Sequence, residues 1–160
     1  YGITPRVAML SYSNFGSSDS PEARLVAEAR SIVKQREPNL ICDGEVQPIV
    51  AFNKEILKDN YPFSELVHGE PNILIFPNLA SSNIAYNLLQ EVGEADAIGP
   101  ILMGLNKPVH VLQLGSSVRA ILNMVLIAVV DAQMKNKSNT KEAIEKSKLW
   151  KRFRKVSHDL

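Results

Sequence analysis

Four short segments of this 160-residue chain concentrate residue types that can hold a small ligand. They are Ser11-Tyr12-Ser13-Asn14-Phe15-Gly16-Ser17, Asp43-Gly44-Glu45-Val46-Gln47, Asn78-Leu79-Ala80-Ser81-Ser82-Asn83 and Gln113-Leu114-Gly115-Ser116-Ser117. Each follows an apolar run of strand length and leads toward a helix-period segment. At such junctions free backbone N–H groups and the positive end of a helix dipole converge, which favours anions. Taken singly, each segment reads as an ordinary turn or helix cap, because Ser, Asn, Asp and Gly are the usual capping residues. Four at equivalent topological positions make an anionic, phosphate-rich small ligand credible. The expected contacts are hydroxyls and backbone groups of Ser11, Ser13, Asn14, Gly16, Ser17, Asn78, Ser82, Asn83, Gly115, Ser116 and Ser117. Arg119 is the nearest candidate cation, since a guanidinium suits phosphate, although a solvated surface arginine is the competing reading. None of the four segments matches a P-loop or a dinucleotide fingerprint.

Covalent and metal chemistry finds little to work with. Cys42 lies inside an apolar strand, where a thiol is ordinarily inert. His68 in a loop and His158 near the terminus read as solvated. His110 alternates with Val109 and Val111 and reads as a satisfied structural histidine rather than a base. No Ser/His/Asp arrangement can be assembled by spacing, and no Cys/His cluster has metal-ligand spacing, so no metal site is expected.

The elements that must position these loops follow from the apolar pattern. Short strand-like runs alternate with helix-period segments, which predicts an α/β fold with a mostly parallel sheet flanked by crossover helices. Strands are expected at Arg6–Tyr12, Leu40–Glu45, Asn72–Phe76 (a buried one) and Val109–Leu112. A helix opens at Ser20-Pro21 with Glu22 in its first turn, burying Leu25, Val26, Ala29, Ile32 and Val33. Ile49–Leu57 predicts another helix, residues 60–71 an irregular connection, and Ser81-Ser82 a helix running through Val92. The segment Val118–Met134 is apolar nearly all round, so it is expected to lie buried in the domain or against a second subunit. A two-fold dimer through this helix is the favoured solution, with cover by the tail helix as the alternative.

Composition sets the outer limits. With 45% hydrophobic and 22% charged residues and one cysteine, the chain is neither disordered nor disulfide-stapled. A reducing, cytoplasmic setting fits best. No signal-peptide pattern opens the chain, and the apolar stretch Ile121–Val130 is too short to span a bilayer. The formal net charge of +1 hides a split: residues 135–160 carry nine basic and three acidic side chains, leaving residues 1–134 net negative. The organisation expected is therefore a body over 1–134, a polar linker from Lys135, and a basic amphipathic helix over Thr140–Phe153. A solvated terminal helix is the ordinary meaning of such a tail, and nucleic acid is not expected as a partner. The start at Tyr1-Gly2, without methionine, suggests a fragment of a longer polypeptide.

Several of these segments also carry a family resemblance. The runs Pro5–Ser18 (PRVAMLSYSNFGSS), Asp43–Gln47 (DGEVQ), Asn72–Gln90 (NILIFPNLASSNIAYNLLQ) and Ile98–Gln113 (IGPILMGLNKPVHVLQ), in this order, resemble the carboxyl-terminal half of a phosphotransacetylase domain (the phosphate acetyl/butyryltransferase family). More narrowly, the SYSNFGS, VHVLQ and VDAQ wording resembles the version fused to the carboxyl terminus of bacterial NADP-dependent malic enzymes. The resemblance implies two α/β subdomains of the isocitrate/isopropylmalate dehydrogenase-like kind, with acyl-CoA and acetyl phosphate held between them, and this chain supplying chiefly one. It also implies a parent chain that uses NADP and a divalent Mg or Mn ion for malate decarboxylation, and dimerisation through this subdomain.

The departures from the family pattern bear on function. Active transacetylases carry a serine and an arginine before the glycine of the last loop and an aspartate five residues after it; here those positions are Gln113, Leu114 and Ala120. A lysine or arginine of the first loop is replaced by Phe15, and an aspartate two residues beyond Gln47 by Ile49. Stabilising a phosphate leaving group needs fixed cations, and deprotonating a thiol needs a base. The resemblance therefore implies a regulatory and oligomerisation domain with no catalytic residues, sensing acetyl-CoA as an effector. A working phosphate acetyltransferase and a purely structural dimerisation module are the competing expectations.

Overall fold

The computed structural model describes residues 2–93 and 97–136, the side chains of 135 and 136 excepted. The chain divides into two compact units, one spanning Ile3–Glu94 and the other Ala95–Leu160 together with Tyr1–Gly2.

The first unit is built on β1 (Arg6–Leu10), α1 (Pro21–Arg36), β2 (Ile41–Val46), the short helices α2 (Pro48–Ala51) and α3 (Lys54–Asn60), β3 (Ile73–Ile75) and α4 (Leu79–Val92), with a 3-10 turn over Glu65–His68. The three strands form a parallel sheet in the order β2-β1-β3. The apolar run of β1 has a simple cause: both its faces are covered. Ala8 and Leu10 point to one side, where Val46, Val50, Ala51, Leu57 and Leu66 are buried with them. Val7 and Met9 point to the other, against Cys42 of β2 and Val26 of α1. Period-two alternation with apolar groups on both faces is the mark of a central parallel strand.

Helix α1 starts where the sequence predicts. Ser20 accepts a hydrogen bond from the Ala23 N–H at 3.1 Å, Pro21 occupies the first turn and Glu22 sits near the positive dipole end. At the other end Lys34 reaches past the helix terminus to donate to the Pro38 and Leu40 carbonyls at 3.0 and 2.9 Å. The buried stripe is Ala23 and Val26, with Ala29 and Val33 packed alongside. Leu25 and Ile32, expected inside, are exposed. They form a second row about 100° around the helix from Val26 and Val33, beyond the arc that packs on the sheet.

The single helix expected over Ile49–Leu57 is two. Asn53 takes an extended backbone and its side chain caps the Glu55 and Ile56 N–H groups at 3.1 and 3.0 Å, so the chain restarts rather than continues. Strand β3 is shorter than expected and is not buried: among the described residues it pairs only with β1, and Ile73 and Ile75 are exposed, as are most residues of the α4 helix that follows it. In α4, capped by Asn78 through the Ser81 N–H at 2.9 Å, no residue is buried.

The second unit contains α5 (Val118–Asn136). Met124, Ile127 and Val130 are buried, while Val118, Leu122 and Val125 are exposed, so this helix is not enclosed on all sides. Val109–Leu112 does not form the expected strand. Its alternation is strand-like, but no described segment supplies the hydrogen-bonding ladder that a strand requires. Helix α5 continues through Lys135 and Asn136, and the rest of the expected linker, together with the Thr140–Phe153 helix, lies outside the described residues.

Candidate functional site

The loop leaving β1 is a closed hydrogen-bonded turn around one carboxylate. Strand β2 pairs in register with β1 up to Met9↔Gly44, then bulges so that Leu10 meets Val46, and Glu45 is the extra residue. The bulge depends on Gly44, at φ +138°: a Cβ there would lie 2.4 Å from the Met9 carbonyl oxygen. Glu45 is buried, and its Oε1 accepts from the Ser13 hydroxyl at 2.9 Å and the Gly16 N–H at 2.6 Å. Its backbone carbonyl accepts from the Phe15 N–H at 2.7 Å. The Ser13 hydroxyl accepts in turn from the Ser18 N–H at 3.0 Å and lies 3.1 Å from the Ser17 hydroxyl. Ser17 Oγ accepts the Asn14 N–H at 2.8 Å, and Asn14 accepts the Gln47 N–H at 2.8 Å, stitching the loop to the segment after β2. Phe15 is held at φ +48°, ahead of Gly16 at φ +87°. Its ring meets Tyr61 and Phe63 with centroids 4.9 and 5.2 Å away, in an aromatic trio where Phe63 is largely exposed.

A second network fixes the strand that carries Glu45. Buried Asp43 accepts from Arg30 Nη2, the Gly44 N–H and the Glu65 N–H, each at 3.0 Å. Glu65 receives Lys34 Nζ at 2.7 Å and the Cys42 N–H at 3.1 Å. Burial works to raise the Glu65 carboxyl, but the hydrogen bonds from Lys34 and Cys42 and the charges of Lys34 and Arg30 outweigh it and hold it below the ordinary carboxylate range. Burial pushes the Cys42 thiol up, against the pull of Arg30, so this cysteine is an inert core residue as the sequence suggests. Arg30 Nε is buried with no partner among the described residues.

The structure thus gathers Ser11, Ser13, Asn14, Gly16 and Ser17 into one hydrogen-bonded turn, with Ser11 Oγ accepting the Ser13 N–H at 3.1 Å. Ser13 is fully buried and organises the turn from within. Asn78, Ser82 and Asn83 stand at the start of α4, where Ser82 donates to the Leu79 carbonyl at 2.9 Å and Asn83 is exposed. Gly115, Ser116, Ser117 and Arg119 belong to the other unit: Gly115 is at φ +85°, Ser116 donates to the Gln113 carbonyl at 2.7 Å, and Ser117 caps α5 through the Ala120 N–H at 3.1 Å. Arg119 lies in the first turn of α5. His110 departs from the expected satisfied histidine, since both ring nitrogens are buried without a partner among the described residues. Among those residues no group of three or more His, Cys, Asp and Glu side chains could hold a metal ion. No described helix is long and apolar enough to cross a membrane. Glu45 and Asp43, which organise the turn and the strand behind it, are not among the expected contacts. The signal was present, since a carboxylate inside an apolar strand must find donors.

Residues 1–129 match the family described as phosphate acetyl/butaryl transferase. The chain belongs to this family. It is 49% identical over 133 residues to the NADP-dependent malic enzyme of Haemophilus influenzae, covering 83% of this chain and 18% of that protein. It is 42% identical over 132 residues to the phosphate acetyltransferase of Bacillus subtilis, covering 82% of this chain and 41% of that one. Among solved structures, a phosphotransacetylase from Streptococcus pyogenes superposes with a TM-score of 0.75 at 41% identity, covering 85% of this chain and 40% of that chain. The chain therefore spans about a fifth of the malic enzyme and about two fifths of the Bacillus subtilis and Streptococcus pyogenes proteins, and the three-stranded parallel sheet with its helices is part of the phosphotransacetylase fold.

Proposed function

We propose that this chain is the phosphotransacetylase-like regulatory and oligomerisation region of a cytoplasmic NADP-dependent malic enzyme, binding acetyl-CoA as an effector without turning it over. The parent's catalytic region, outside this chain, would use NADP and a divalent Mg or Mn ion to decarboxylate malate. The observation that carries the reading is the uncharged set Phe15, Gln113, Leu114 and Ala120 at positions where the resembled transacetylases place cations, a serine and an aspartate. Phe15 adds a structural point: its ring is committed to the Tyr61 and Phe63 contacts, so the position supplies packing instead of charge. Without a fixed cation for the phosphate or a base for the thiol, acyl transfer lacks its main sources of rate. The higher identity to malic enzymes than to acetyltransferases supports the same parent.

Ligand contact is assigned to the exposed and half-buried members of the expected set: Ser11, Asn14, Gly16 and Ser17, then Asn78, Ser82 and Asn83, and in the second unit Gly115, Ser116, Ser117 and Arg119. Self-association is assigned to the exposed apolar side of α5, where Val118, Leu122 and Val125 face solvent. A second reading, an active phosphate acetyltransferase, is favoured by the solved neighbours, which are phosphotransacetylases. A coupled assay for acetyl phosphate formation from acetyl-CoA and phosphate separates the two. The full-length protein should give no rate above a heat-inactivated control, and a sustained enzymatic rate would establish the second reading.

A further inference from the structure

The turn that most resembles an anion cradle in this molecule already contains its anion. Six successive backbone N–H groups, from Ser13 to Ser18, all end on acceptors of the protein itself: Ser11 Oγ, Ser17 Oγ, the Glu45 carbonyl, Glu45 Oε1, the Asn14 carbonyl and Ser13 Oγ. The Ser13 hydroxyl, the best placed side-chain donor, is also spent on Glu45 Oε1. The carboxylate is 3% exposed and Ser13 0% exposed, so water does not compete for these bonds. Successive N–H groups in a turn with a left-handed residue form a concavity that elsewhere holds phosphate. Here the left-handed pair Phe15-Gly16 makes that concavity, and the β2 bulge delivers Glu45 into it.

We infer that Glu45 is a built-in anion that closes the Ser13–Ser18 turn to phosphate, so that the part of any ligand lying over this turn is uncharged. A ligand anion approaching the turn meets a buried negative charge and no unspent N–H, and like charges at short range in a poorly solvated site repel. On the acyl-CoA reading, on which this last step rests, the turn faces the pantetheine and acyl portion and the phosphates are held elsewhere. Glu45 is on this account a positioning and specificity residue, with no role in proton transfer.

The test uses the amide resonances of Gly16, Ser17 and Ser18 in the isotopically labelled 160-residue chain, with inorganic phosphate titrated at constant ionic strength. In the wild type these amides should stay unmoved, and saturable shifts would overturn the inference. The fragment that Glu45→Ala removes has the size and charge of acetate. That variant should melt about 10 °C lower, as expected for lost charge-assisted bonds in a domain of this size. Acetate, but not chloride, should restore much of the loss and return the Gly16 amide toward its wild-type position. A folded Glu45→Ala protein indifferent to acetate would contradict the inference. Glu45→Gln keeps an oxygen acceptor and should remain silent to phosphate. Should Glu45→Ala not fold even in acetate, the phosphate titrations of the wild type and Glu45→Gln still decide the matter. Acetyl-CoA titrated into the full-length protein gives a separate outcome: no binding there, with phosphate-silent amides, would end the effector reading and leave the closed turn standing.

Discussion

Removing the Asp43 carboxylate should be among the most damaging single changes in the first unit. Asp43 is 2% exposed and receives three donors at 3.0 Å, from Arg30, Gly44 and Glu65. Asp43→Ala strands the two backbone N–H groups and leaves the Arg30 guanidinium, whose Nε already lacks a partner among the described residues, without its counter-charge. An unsatisfied buried donor costs about 1–3 kcal/mol, and breaking a buried pair about 3–5 kcal/mol. Arg30 is 33% exposed at its side chain, so water recovers part of the charge term. A loss of about 4 kcal/mol is the resulting expectation. Asp43→Asn keeps one acceptor oxygen and turns an NH2 toward the Glu65 N–H, so about half that loss is expected. Urea denaturation followed by circular dichroism reads both values, given a two-state transition with an unchanged m-value. A loss below about 1 kcal/mol for Asp43→Ala would refute the claim that this carboxylate holds the strand and the 3-10 turn together.

Two further predictions concern charge and assembly. Because the folded state holds Glu65 below its ordinary range, the Lys34–Glu65 pair contributes stability above the unfolded carboxylate value. That contribution should disappear as pH falls through the depressed folded value, and Glu65→Gln should flatten this part of the stability–pH curve; identical curves for variant and wild type would remove the pair from the account. Val125 is 52% exposed on α5, and if a second copy covers this side, Val125→Glu should turn a dimer into a monomer in light scattering at micromolar concentration. A wild-type monomer would eliminate the α5 interface.

The parts of the fold that were legible in the sequence are those governed by local rules. Ser20-Pro21 with Glu22 marked the start of α1, and the apolar run of β1 marked a strand, whose burial on both faces emerged from the structure. Other features needed the tertiary partner. Val109–Leu112 alternates like a strand yet pairs with nothing described, and β3 is apolar yet exposed at the sheet edge. Leu25 and Ile32 share the helical spacing of Val26 and Val33 but sit on the next row of α1, a rotation that spacing alone does not fix. At the site, the small polar residues of Ser11–Ser17 were recognisable as one loop. The dominance of Glu45 was not, because it depends on a bulge that places one side chain of β2 beneath the turn after β1.

The central claim is that the loop frame of an acyl-CoA site survives in this chain without its chemistry. Calorimetric titration of acetyl-CoA into the full-length protein in phosphate buffer tests binding and turnover together. The account predicts a saturable heat that returns to the baseline after each injection. A titration without saturable heat, or a power signal that stays displaced while acetyl-CoA is consumed, would contradict it.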